Sequence, residues 1–233
     1  NYSALFGIGA KSGFALSSSF TVTSYQNGIA KTYTAFINEE KIPQISKMGE
    51  CETSEENGFL VKIPISTSYL YDFESNAREI YKYFVVKPIF VGKQLTIESP
   101  NYIIKNKNYG IRKDGDSQLQ AIVSNIAYEI ESSSLKDKDI NPNIYREKLD
   151  LFFTINEVDV VPSREKLSYT KKTIEKLQEK INLLINNIKT DIEKEIQKSP
   201  TLWQAKKTAY GSHLQHSHFV DISTLSWNGQ PIG

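Results

Sequence analysis

The stretch LFGIGAKSGFALSSSFTVTSYQNG, Leu5–Gly28, decides how the chain is read. Two glycines flank Ile8, Lys11 and Ser12 follow, and a run of small residues suits one short helix. Phe20, Val22 and Ser24 then alternate with Thr21, Thr23 and Tyr25, as in a strand with two different faces. Asn27-Gly28 supplies the positive φ values of a tight hairpin turn, and Tyr33 to Ile37 resume the β-rich pattern. Only Gly-Ile-Gly-Ala precedes Lys11-Ser12, which is too short for a Walker loop. A dinucleotide fingerprint needs a strand before its glycines and a parallel strand after its helix, whereas a hairpin follows here. The residues alone leave two readings of the glycines, a phosphate cradle and a structural turn.

Working outward, Phe59, Val61, Ile63 and Ile65 predict a third antiparallel strand, and the polar Met48–Gly58 stretch before it predicts an exposed loop. Leu70, Phe73, Ala77, Ile80, Tyr81 and Phe84 recur at helical spacing, so an amphipathic helix is expected over 68–84. KPIFVGKQLTIE, residues 87–98, reads as a short strand pair bent at Gly92. Beyond Pro100, residues 102–113 and 119–131 are strand candidates separated by a polar turn, and a further strand is centred on 151–155. Ser163 is the expected cap of a long helix that Pro200 ends, with Leu167, Ile174, Leu177, Ile181, Leu184, Ile188, Ile192 and Ile196 along one face. The last residues alternate like a strand and turn at Asn228-Gly229 without room for a partner. Both ends thus read as cut from a longer protein. The expected class is α+β, with units at 1–100 and 101–198 and a truncated segment at 199–233.

The 28 Lys and Arg against 27 Asp and Glu leave a formal net charge of +1, so no global field favours nucleic acid or an acidic membrane. Cys51 is the single cysteine, which excludes an intrachain disulfide and suits a reducing, cytoplasmic setting. No apolar run approaches the roughly 20 residues of a membrane span.

The order glycine turn, short helix, hairpin, strand and packing helix resembles the second half of the histidine-kinase-like (GHKL, or Bergerat) ATPase fold shared by gyrase, Hsp90 and MutL. Residues 6–28 look like its second glycine box, and residues 68–98 resemble the close of the nucleotide domain in the Hsp90 branch. Downstream, VVPSREKLSYTKKTIEKLQEKI, residues 160–181, resembles the Hsp90 middle-domain segment that opens a long helix. The resemblance implies an ATP-binding sandwich's C-terminal half followed by a ribosomal-protein-S5-like middle, or transducer, domain. It further implies that the amides of Gly7, Ile8, Gly9 and Ala10, the N-terminus at Ser12 and the charge of Lys11 address the phosphates of ATP. Arg164 would sense the γ-phosphate, for which a planar guanidinium is suited. The plain alternatives are a solvated Lys11 and an Arg164 paired with Glu165 or Asp159. Mg²⁺ is implied as well, its ligand belonging to a helix upstream of residue 1 together with the Asp-X-Gly-X-Gly box. Gly58-Phe59 departs from the Gly-Thr that the family often carries in its third box.

GAKSGFALSSSFTV, AFINEE, ENGFLVKIPI and VDVVPSREKLSY resemble, across most of the chain, the rapid-lysis A (rIIA) family of T4-type tailed phages. That resemblance implies a role in lysis timing in the infected cell's cytoplasm, peripheral to the inner membrane, with a rapid-lysis B (rIIB-like) partner and a homodimer. An ATP-driven switch is the first functional reading, a non-catalytic scaffold of the same fold the second. A gyrase-like DNA enzyme is disfavoured by the near-neutral charge, and no nucleic acid is expected. His213, His216 and His218 are crowded, yet Cys51 is distant and a polar surface stretch accounts for them better than zinc. Asp114 and Asp116 lack the later ligands of a calcium loop.

Overall fold

The computed structural model describes residues 11–135, 142–216 and 220–233, and at 142, 143 and 212–216 the backbone alone. The chain is a mixed α and β protein that divides into two compact units, Asn1–Ser75 and Asn76–Gly233.

The first unit is built on an antiparallel sheet. A 3₁₀ turn, Ser12–Ala15, leads into β1 (Ser19–Gln26), β2 (Ile29–Ile37), β3 (Pro43–Glu52) and β4 (Gly58–Lys62), in the order β3-β2-β1-β4. The β1–β2 turn is as expected, with Asn27 at φ 53 and Gly28 at φ 76, the left-handed pair that matches strand twist. Thr23 and Thr32 face each other across the hairpin with their hydroxyl oxygens 3.0 Å apart. Gly13 permits the 3₁₀ turn to sit on the Phe20 ring, because a Cβ there would meet the ring at 2.7 Å. The stretch expected as a loop is corrected in part: Met48–Glu52 belongs to β3, which pairs with β2 from Ile37↔Pro43 to Ile29↔Glu52. All ten β3 residues are exposed, so this edge strand is held by backbone pairing and carries no alternation to betray it. The third strand of the sequence reading is β4, and it stops before Ile63 and Ile65.

Helix α1 (Leu70–Tyr81) follows, shorter than expected and without a buried residue. The strand pair expected at 87–98 is absent: the segment is irregular, and Gly92 lies at φ 93.

The second unit holds a five-stranded sheet in the order β5-β6-β9-β7-β8. Its strands are β5 (Tyr102–Lys105), β6 (Tyr109–Arg112), β7 (Leu119–Val123), β8 (Ile126–Glu129) and β9 (Leu149–Phe153). Each strand candidate read from residues 102–131 is therefore a hairpin, and β9 inserts between the two, antiparallel to β6 and parallel to β7. Alternation gives this sheet two chemically distinct faces. Leu119, Ala121, Leu149 and Leu151 lie in the apolar core with Leu177, Ile181, Leu184 and Ile188 of helix α2 (Lys171–Gln197). Gln120, Asp150, Gly110 and Arg112 take the alternate positions.

The long helix begins later than expected. Ser163 does not cap it; Thr170 does, its hydroxyl accepting from the Thr173 amide at 3.3 Å. The isoleucine and leucine stripe from Leu177 to Ile196 is buried as expected, while Leu167 is buried outside the helix. Lys180 interrupts the stripe and is satisfied there: it donates to the Phe152 carbonyl, pairs with Glu157 at 2.9 Å and lies 4.1 Å from the Phe153 ring centre. Helix α3 (Leu202–His216) contributes Ala205 and Ala209 to the same core. The closing residues do find a partner strand, β10 (Ser226–Trp227) with β11 (Gln230–Pro231), and Val220, Leu225 and Ile232 join that core.

Candidate functional site

Gly7, Ile8, Gly9 and Ala10 lie outside the described residues. Lys11 and Ser12 are described, and both are exposed at the start of the 3₁₀ turn that Gly13 seats on Phe20. In the same unit a shallow groove of about 580 Å³ runs over β1, β2 and β4, lined by Phe20, Thr21, Thr34, Val61, Lys62 and Pro64. Thr21 is the cross-strand neighbour of both Thr34 and Lys62, so two hydroxyls and an ammonium share one row of the sheet.

Arg164 is not in the first turn of a helix. It stands at φ 63 in a tight turn, and Ser163, Arg164 and Glu165 are exposed at its tip. The turn is closed by a bridge between Val160 and Leu167, by the Val161 amide donating to Lys166 O at 3.0 Å and by the Arg164 amide donating to Val161 O at 2.8 Å. Its base is fastened to the start of α2. The Asp159 carboxylate accepts from the Thr170 hydroxyl at 2.6 Å and from Lys172 at 3.2 Å, and the Asp159 amide donates to the Thr173 hydroxyl at 2.9 Å. The Thr170 bond, then Lys172, holds the Asp159 carboxyl below the usual carboxylate range even against burial. The left-handed region costs a non-glycine residue about 1–2 kcal/mol, so the surrounding bonds impose this backbone on an arginine. The Arg164 charge also reaches Tyr128 on β8, whose phenol burial pushes up and Arg164 draws back.

A second polar centre, which sequence reasoning missed, lies on the other face of the five-stranded sheet. Asp150 is fully buried in the central strand. Its Oδ2 accepts from the Tyr102 hydroxyl at 2.7 Å and from the Tyr83 hydroxyl at 3.0 Å, and Tyr83 also reaches Gln120 Oε1 at 2.8 Å. Arg112 Nε stands 3.1 Å from Asp150 Oδ1, close enough for an ion pair but without hydrogen-bond alignment, while Arg112 Nη2 donates to Gln118 O at 2.6 Å. The sheet register explains the convergence: Asp150 is opposite Gly110 on β6 and Gln120 on β7. A Cβ on Gly110 would meet the Tyr102 ring at 2.5 Å, so the missing side chain is what lets that ring lie beside the carboxylate. Burial pushes the Asp150 carboxyl up, and the Tyr102 bond, Arg112 and the Tyr83 bond pull it back. Both phenols are driven well above their ordinary value by burial and by the Asp150 charge. The arrangement is buried and held by an ion pair and two phenols, which suits fastening rather than chemistry.

The remaining sequence candidates gain no ligand set. His218 and the side chains of His213 and His216 lie outside the described residues. Asp114 and Asp116 occupy the β6–β7 turn around Gly115 at φ 90, and Cys51 is exposed on β3. Among the described residues no three His, Cys, Asp or Glu side chains are grouped to hold a metal, so no Mg²⁺ ligand is assigned. No helix among them is long and apolar enough to cross a membrane.

No protein-family model and no curated protein sequence matches the chain. Among solved structures, it is similar to the 43K ATPase domain of Thermus thermophilus gyrase B in complex with an aminocoumarin, at 14% identity over 91% of this chain and 72% of that one, with a TM-score of 0.35. That degree of likeness is too low to transfer residue roles.

Proposed function

We propose that the chain is a nucleotide-binding piece of a GHKL-type ATPase. In this reading residues 1–100 are the later part of the ATP-binding sandwich, 101–198 an S5-like middle domain and 199–233 the start of a further segment. The glycine turn with Lys11 and Ser12 binds phosphate, and Arg164 senses the γ-phosphate. One observation carries the reading: an arginine is held in a left-handed backbone at the exposed tip of a turn braced against a helix N-cap. Strain of this kind persists where the surroundings over-determine it, and it clusters at functional sites. Lys11 and Ser12 fit an anion in kind, as an exposed cation and hydroxyl beside backbone amides. ATP supplies the anhydride that is cleaved, and Mg²⁺ would come with ligands other than the described residues. Arg164 places a fixed cation against the oxygens on which charge builds. By the sequence resemblance to the rapid-lysis A family, the protein works as an ATP-driven switch in lysis timing. It does so as a dimer with a B-type partner, from the cytoplasmic side of the host inner membrane.

Arg164→Gly tests this without endangering the fold. Relief of the left-handed strain and the added freedom of the unfolded chain oppose each other, so the backbone part of the stability should change by less than about 1 kcal/mol. ATP hydrolysis by the full-length protein should fall about 10³-fold, the scale of a lost arginine finger. Unchanged turnover in Arg164→Gly would remove Arg164 from the chemistry, and absence of turnover in the parent protein would favour a scaffold of the same fold.

A further inference from the structure

Resting on the phosphate-sensing role proposed for Arg164, we infer that Thr173 is a positioning residue: its hydroxyl seats the Arg164 turn on helix α2, so that the helix sets where the arginine stands. The buried stripe of α2 is isoleucine and leucine except at two places, Thr173 and Lys180. A polar group in such a stripe costs free energy unless it is bonded, so each interruption needs an account. Both are used on one stretch of chain, Phe152 to Asp159, which leads from the end of β9 to the base of the Arg164 turn. Lys180 donates to the Phe152 carbonyl and pairs with Glu157, whose carboxylate also accepts from the Thr154 amide at 2.9 Å. Thr173 is fully buried, and its hydroxyl accepts from the Asp159 amide at 2.9 Å. Asp159 is where the two legs of the turn meet. Its carbonyl accepts from the Ser168 amide at 2.8 Å, and the Val160–Leu167 bridge and the Val161–Lys166 bond follow as the next rungs. These rungs hold the turn together but do not orient it against the helix. The outgoing leg runs into α2 at Thr170, and Thr173 ties the incoming leg to the same helix turn. Val158 and Leu167 bury the base, yet apolar contact is non-directional and leaves the angle open. The Asp159 carboxylate bonds to Thr170 and Lys172 lie towards the surface, with Asp159 and Lys172 side chains 38% and 50% exposed, where such pairs contribute little. The Thr173 bond is the directional contact made out of water, where leaving a donor unmatched is costly.

Nitroxide labels on Glu165→Cys at the tip and Thr190→Cys on α2, in a Cys51→Ser background of the full chain, read the position of the turn directly. Both sites are exposed, and Thr190 lies about 25 Å along the helix from Thr173. Thr173→Val removes the hydroxyl and keeps the shape, whereas Thr173→Ser keeps the hydroxyl. The parent and Thr173→Ser should each give one narrow label-to-label distance, and Thr173→Val should lose it to a broad distribution. In unlabelled protein Thr173→Val should lower kcat for ATP about 10²-fold at unchanged KM, the scale of a small misplacement of a catalytic group. Thr173→Ser should restore it. A distance that stays narrow in Thr173→Val, or broadens equally in Thr173→Ser, overturns the seat whatever the protein does with ATP. A broadened distance with unchanged kcat, in a protein whose turnover Arg164→Gly abolishes, overturns the positioning role. Turnover left intact by Arg164→Gly sinks the nucleotide reading instead, and the distances still decide the seat. Should Thr173→Val fail to fold, Thr173→Ala removes the same hydroxyl with a better helix former and decides in its place.

Discussion

Asp150→Ala is expected to lower the unfolding free energy by about 3–5 kcal/mol, the cost of leaving a buried charge without its partner. Arg112 is 6% exposed on the neighbouring strand, and Asp150 is the carboxylate that faces it. Tyr83, Tyr102 and Gln120 lose an acceptor or a fixed neighbour at the same time. Replacing the pair by apolar residues of similar size, Asp150→Leu with Arg112→Met, should recover most of that loss, because a buried ion pair is stabilising mainly against its own disruption. Urea unfolding of the parent, Asp150→Ala and the double variant measures both effects. A single substitution costing under about 1 kcal/mol would mean that the cluster is hydrated and that Asp150 is not its centre.

Gly110→Ala is the second large effect, with an expected loss of about 2–3 kcal/mol from overpacking. The added methyl would stand 2.5 Å from Tyr102 Cε1 and 3.3 Å from Phe152 Cζ, so the tyrosine ring must swing away and its hydroxyl must leave Asp150. One consequence separates this from a simple dislike of alanine in a strand. In a Tyr102→Ala background the penalty should shrink below about 1 kcal/mol, since residues in contact couple. A penalty that persists without the Tyr102 ring would contradict the assigned role of the glycine.

Some of this architecture was legible before any coordinates. The β1–β2 hairpin announces itself because Asn27-Gly28 permits a turn that few other pairs allow and because β1 and β2 have two unlike faces. The α2 stripe is equally plain, since isoleucine and leucine at spacings of three and four can only bury one side of a helix. Other elements gave no signal of their own. Strand β3 is exposed throughout and pairs chiefly through its backbone, so its side chains read as a loop. Ser163-Arg164-Glu165 imitates a helix start, but the side-chain oxygen that meets the helix amide belongs to Thr170, and the intervening residues spend themselves on a turn. Residues 87–98 look like strands from their β-branched content, yet no partner strand is at hand. The Asp150 centre is the hardest case. Residues 83, 102, 112, 120 and 150 share no motif, and they meet only because β9 inserts between two hairpins and places Asp150 opposite a glycine and a glutamine. A charged residue inside the apolar run Leu149 to Phe153 was the one available hint. Of the residues proposed to bind phosphate, Lys11, Ser12 and Arg164 are described, and Arg164 stands in a strained turn where the sequence suggested a helix.

The nucleotide reading stands or falls on equilibrium binding. Titrating the full-length protein with a non-hydrolysable ATP analogue and Mg²⁺, alongside a Lys11→Ala variant, tests it most directly. The account predicts saturable, one-site binding that weakens about tenfold in the variant, as for one lost charge-assisted contact. No saturation at millimolar analogue, or equal affinity for the analogue and for adenosine without phosphates, would contradict it.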